Sequence, residues 1–102
     1  MIKYICNAFS IQMVDEKHYN VVVDEISESD FNSVKNEYPS AVGHPDTARV
    51  LGVQYNRCNV SLKYGDMIVV AQLQGGRLPE GATTLPEGCS FKYFTILITP
   101  HE

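Results

Sequence analysis

The chain has 102 residues, 44% of them hydrophobic and 20% charged, with a formal net charge of −4. That balance predicts one globular domain over residues 1–102, near the length at which pairing of two copies aids stability, and excludes a disordered chain. Broad binding to duplex nucleic acid is also excluded, so any nucleic-acid ligand should be small. No apolar run approaches the roughly 18 to 20 residues of a membrane span and the first residues lack a secretory pattern, which predicts a cytoplasmic protein with no membrane partner.

In chain order, Ile2 to Phe9 alternates like a strand, and the run Asn20-Val21-Val22-Val23 reads as a second. The charged connector between them holds His18, read as a solvated loop residue. Ser27 or Ser29 can cap a helix through about Glu37, with Phe31 and Val34 spaced for burial and Pro39 as its stop. In Gly43-His44-Pro45-Asp46 the proline suits a first helical position, so His44 is expected to cap a short helix, Asp46 to Leu51, ended by Gly52. Asn59 to Lys63 and Asp66 to Gln74 flank Tyr64-Gly65 like the arms of a hairpin, giving a third and fourth strand. The segment from Gly75 to Gly88 carries Leu-Pro-Glu-Gly twice, at Leu78 and Leu85, as a stiff shaped loop, and Phe91 to Ile98 forms a last buried strand. The expected fold is a small α/β domain with a mixed, mostly antiparallel sheet of about five strands and two short helices. Cys6, Cys58 and Cys89 are odd in number and widely spaced, without a zinc-ligand pattern, and are expected to be buried thiols.

The chemistry starts from His44. Backbone N–H groups at a helix start lack intrahelical partners and attract anions, so an imidazole there would stand beside a bound phosphate, arrive neutral and donate a proton once an anion is held. No phosphate-binding Gly-rich loop, paired-histidine motif or dense carboxylate cluster is present, which turns attention to chemistry without a metal or cofactor. Cleavage of an RNA phosphodiester by its own 2′-hydroxyl needs few protein groups: orientation of the nucleophile, neutralisation of the phosphorane and a proton for the departing 5′-oxygen. His44 can be the acid, Arg77 a clamp on the transition state and Arg57 a phosphate or base anchor, with Arg57 equally able to close a turn beside Asn56. Glu80 can orient Arg77 or accept a ribose hydroxyl, although an Arg-x-x-Glu pair is usually a solvated ion pair. Arg49 reads as a surface residue, and Asn7 and Ser10 offer polar groups at the end of the first strand.

Asn7-Ala8-Phe9-Ser10-Ile11-Gln12-Met13, Val42-Gly43-His44, Asn56-Arg57 and Arg77-Leu78-Pro79-Glu80-Gly81, in this order and spacing, resemble the viral type III anti-CRISPR ring nucleases. The resemblance covers almost the whole chain. It implies a homodimer that binds cyclic tetra-adenylate and cuts it without metal into linear di-adenylates with 2′,3′-cyclic phosphate ends, switching off type III CRISPR signalling. It matches His44 to the family's general acid, and Arg77 and Glu80 to its other active-site pair. Asn7 and Ser10 match polar residues near the ribose and phosphate, and Arg57 the arginine of the ligand pocket. Gln12 stands where some members have Asn, and Pro45 where some have Asp. An extra residue at Gln74-Gly75-Gly76 leaves the family glutamine of that strand matched either to Gln72 or to no residue. The alternative to a nuclease is a sponge that sequesters a cyclic nucleotide signal through the same pocket. Dimerisation would let a cyclic tetranucleotide lie across a two-fold axis and meet two copies of each group.

Overall fold

A computed structural model describes residues 2–101. Its strands are β1 (Ile2–Cys6), β2 (Tyr19–Ile26), β3 (Met67–Gln74) and β4 (Ser90–Pro100), and its helices α1 (Glu28–Val34) and α2 (Pro45–Leu51). The strands form one mixed sheet in the order β1-β3-β4-β2, with β1 parallel to β3 and the other pairs antiparallel. β4 runs through the middle of the register, pairing Tyr93 with Ile26 on one side and with Ala71 on the other.

The sheet has four strands rather than five, because Asn59 to Lys63 does not join it as a hairpin arm. β3 already has β1 on one edge and β4 on the other, so no free edge remains for a third partner. Leu62 is instead drawn onto the stretch after β1: it takes a hydrogen bond from Asp15 N–H at 2.8 Å, gives one to the Met13 carbonyl at 2.8 Å, and is completely buried. Tyr64-Gly65 does make a tight turn, with Asp66 N–H to the Lys63 carbonyl at 2.9 Å and Lys63 N–H to the Asp66 carboxylate at 2.8 Å, but it leads into β3 from a loop.

Other boundaries move for local reasons. β1 ends at Cys6, three residues short of Phe9, and Ser10 caps a single 3-10 turn at Ile11–Met13 by accepting Gln12 N–H at 3.2 Å. β2 extends to Ile26 because its partner β4 is long enough to pair Asp24 and Glu25 as well. Ser27 is the cap of α1, accepting Asp30 N–H at 3.0 Å. The helix stops at Val34, and Pro39 lies beyond it, where its carbonyl accepts Ile5 N–H at 2.9 Å.

Alternation along the strands divides the apolar side chains between two cores. On the helical face Ile5, Val69 and Ala71 pack with Phe31, Val42, Ala48 and Leu51. Phe31 stacks on Tyr93 with ring centroids 4.7 Å apart. On the other face Cys6, Ile68, Val70, Ile96 and Ile98 are covered by Leu62, Phe9, Met13 and Val60. Lys35 joins the two helices by donating to the Leu51 carbonyl at 3.0 Å, next to Gly52, which ends α2 in the left-handed region at φ 76°. The cysteines differ from expectation: Cys6 is buried, but Cys89 is half-buried and Cys58 exposed. No helix among the described residues is long and apolar enough to cross a membrane.

Candidate functional site

His44 caps α2 as the sequence predicts, with extended backbone and Pro45 at the first helical position. Its Nδ1 accepts the Thr47 backbone N–H at 3.3 Å, so the imidazole itself takes up one of the donors expected to attract an anion. That contact fixes the neutral ring with its proton on Nε2.

Three other segments converge on this ring. The chain from Pro39 to Ala41 lies along the outer edge of β1, with Ala41 N–H to the Ile5 carbonyl at 2.8 Å, and this sets Asn7 beside Gly43 and His44. Tyr55 bridges Val42, Asn56 N–H reaches the Val42 carbonyl at 3.0 Å, and the Asn56 side chain donates to the Ser40 carbonyl at 2.9 Å. Arg57 is thereby laid against Gly43, where an added Cβ would stand 3.4 Å from its Cγ.

The last segment leaves β3 through Gly75 and Gly76, both with positive φ, and brings Arg77 and Glu80 across. A tie to α2 holds it. The Asp46 carboxylate accepts Gly81 N–H at 3.2 Å and Arg49 Nη1 at 2.8 Å, and the same Nη1 donates to the Ala82 carbonyl at 3.1 Å. The Arg49 hydrogen bond, supported by Gly81, holds the Asp46 carboxyl below the usual carboxylate range. Arg49 is exposed, as expected of a surface residue, yet it bridges helix and loop.

The result is two adjoining cavities of about 530 Å³ and about 640 Å³ that share Asn7 and His44. The first adds Arg57, Cys58 and Asn59, and the second Asp46, Thr47, Arg77 and Glu80. Five sequence-selected residues, Asn7, His44, Arg57, Arg77 and Glu80, therefore line one continuous cleft. No ion pair joins Arg77 to Glu80 among the described residues, leaving both charges open to the cleft. Ser10, Gln12 and Gln72 line neither cavity. Ser10 is spent on its cap and Gln12 is exposed on the 3-10 turn. Gln72 points to the opposite face, into a separate hollow with Phe9, Val23 and Phe94, because its neighbour Leu73 is the residue of β3 that turns toward the cleft.

Sequence reading passed over Thr47 and the Asp46–Arg49 pair. The signals were local: Thr47 stands three residues after the cap, and Asp46 and Arg49 are one helical turn apart. Among the described residues no group of three or more His, Cys, Asp or Glu side chains converges as a metal-holding cluster.

A small mixed sheet with both helices on one face and a cleft at a capped helix start defines the class of protein, and residues 3–89 match one family: the chain belongs to the STIV B116-like family. Its backbone is similar to B116 of Sulfolobus turreted icosahedral virus, with a TM-score of 0.77 over 95% of this chain and 99% of that one. The two are 23% identical, a likeness of fold. No curated protein sequence matches the chain.

Proposed function

We propose that this protein is a metal-independent ring nuclease that binds cyclic tetra-adenylate as a homodimer and cuts it to linear di-adenylates ending in 2′,3′-cyclic phosphate, which switches off type III CRISPR signalling. The observation that carries the reading is the convergence of Asn7, His44, Arg57, Arg77 and Glu80 from separate segments onto one open cleft. A 2′-hydroxyl of the ring attacks the adjacent phosphorus, the bond from phosphorus to the 5′-oxygen breaks, and His44 gives that oxygen a proton. Arg77 and Arg57 offset the charge on the non-bridging oxygens. Glu80, unpaired with Arg77, is free to accept the proton that the attacking hydroxyl loses, and Asn7 anchors the ribose or phosphate beside His44. A second copy facing the cleft would supply the same groups to the opposite half of the ring.

The test is a single-turnover assay with labelled cyclic tetra-adenylate in excess chelator, comparing wild type with His44→Ala. Cleavage by wild type alone supports the nuclease and places His44 at the chemistry. A ring held tightly and recovered intact on denaturation would replace cleavage by sequestration, and absence of binding would overturn both.

A further inference from the structure

The Thr47 side chain is buried, with 7% of its surface exposed. Its hydroxyl meets His44 Nδ1 at 3.3 Å, the same nitrogen that accepts the Thr47 backbone N–H at 3.3 Å. A helical threonine commonly returns its hydroxyl to the carbonyl one turn back; here it faces the imidazole. The two contacts are not equivalent. A backbone N–H only donates, so it suits the neutral ring and opposes a proton on Nδ1, whereas a hydroxyl donates or accepts according to its rotation.

A histidine acts as a general acid in its charged form, and charging His44 puts a hydrogen on Nδ1 that faces the Thr47 N–H. Among the described residues the hydroxyl of Thr47 is the acceptor at hydrogen-bond distance from that nitrogen. We propose that Thr47 is a positioning residue whose hydroxyl turns from donor to acceptor as His44 is protonated, so that the ring carries its charge without moving and keeps Nε2–H presented to the cleft. This rests on the reading of His44 as a general acid. In the catalytic step Nε2–H passes to the 5′-oxygen and leaves a neutral ring protonated on Nδ1, still held by the accepting hydroxyl; the hydroxyl turns back to donor once Nε2 regains a proton from solvent and Nδ1 releases its own.

The other groups facing His44 are Asp46 on its own helix, Arg57 and Cys58 from the segment after α2, and Arg77 and Glu80 from the loop after β3. They remain the same in Thr47 variants, so a difference between variants isolates the hydroxyl.

The experiment is an NMR titration of protein labelled in its histidine side chains, without ligand, on wild type, Thr47→Val, Thr47→Ala and Thr47→Ser, with His18 and His101 as internal controls. In wild type the ring nitrogen shifts should report neutral His44 protonated on Nε2. Loss of the hydroxyl in Val or Ala should move the His44 curve down by about one pH unit, and Ser should restore it. In cleavage assays the rate against pH should move down with it, slowing the reaction about tenfold near neutrality and recovering at lower pH; a merely structural role would lower the plateau without moving the curve. Coincident His44 curves in wild type and the hydroxyl-less variants, or a wild-type ring protonated on Nδ1 when neutral, overturn the proposal. Should Val and Ala not fold, the wild-type tautomer still decides against it if the proton sits on Nδ1, and a shifted curve in Ser would do the same. A shifted titration in Val or Ala with no cleavage by wild type supports the Thr47 assignment and overturns the nuclease.

Discussion

Gly81 gives its backbone N–H to the Asp46 carboxylate at 3.2 Å, across 35 positions of sequence, and so ties the loop that carries Arg77 and Glu80 to the helix that His44 caps. The two halves of the cleft are thereby held in register by one small anchor.

Removing that anchor should loosen the site more than the fold. Asp46→Asn weakens the charge-assisted contacts to Arg49 and Gly81, and Arg49→Met removes the contact to the Ala82 carbonyl. Amide hydrogen exchange at Gly81 and Ala82 should quicken in both variants while β3 and β4 keep wild-type protection. Unchanged exchange at Gly81 would show that the loop holds its shape without α2.

The same anchor should respond to pH in one direction. The Asp46 carboxyl is held below its ordinary range by Arg49 and Gly81, so the contribution of the ionised form is complete above the unfolded carboxylate range and is lost only as pH falls through the lowered folded value. Gly81 protection should therefore survive mild acid and disappear below the usual carboxylate range. Loss of protection between pH 5 and neutrality would assign it to another group.

His44 caps α2, and under the proposed function it is also the general acid, two duties that substitution can separate. His44→Ala deletes the cap on Thr47 as well as the imidazole, and should cost about 1 kcal/mol of stability together with a loss of about 10² to 10⁴ in cleavage rate. Asn keeps a capping oxygen, so His44→Asn should melt near wild type in urea yet cleave as slowly as Ala. Equal destabilisation by Asn and Ala would show that the cap contributes nothing.

Phe31 joins α1 to the sheet through Tyr93 and is 1% exposed. Phe31→Ala should cost about 3 to 5 kcal/mol, read as a lowered urea midpoint. A loss under about 1 kcal/mol would mean that α1 is held mainly by other contacts.

The thiols should react in the order of their exposure. Burial, with a lesser contribution from Cys58, pushes the Cys6 thiol up to about 12, which leaves almost no thiolate at neutral pH, whereas Cys58 stands open on the cleft wall. Alkylation followed by mass spectrometry should mark Cys58 first and Cys6 only on unfolding. Early labelling of Cys6 would place its strand outside the folded core.

What was legible in the chain was local. Pro45 and Gly52 bracket α2 with signals that act within a turn, and Ser27 does the same at the start of α1. What was not legible depended on neighbours far along the chain. Asn59 to Lys63 has the composition of a strand, but β1 and β4 had already taken both edges of β3, and this is a property of the whole sheet. Motif order selected five residues that share the cleft. Gln72 fell outside it because one step along a strand reverses the face, and Thr47 went unselected because its hydroxyl, on a buried residue, meets another side chain, the His44 ring.

The loop from Gly75 to Gly88 is pinched shut at its base: an added Cβ on Gly75 would stand 2.2 Å from the Gly88 carbonyl oxygen, and Gln74 and Ser90 are already paired across β3 and β4. The chain thus departs and returns at one doorway. The part beyond the Arg49 contact at Ala82, from Thr83 to Glu87, can lengthen, shorten or exchange sequence at little entropic cost, about 0.6 kcal/mol for each doubling of length, without asking any strand to shift. The far side of the loop is an interchangeable part on a fixed foundation, free to be refitted while Arg77 and Glu80 keep their places beside His44.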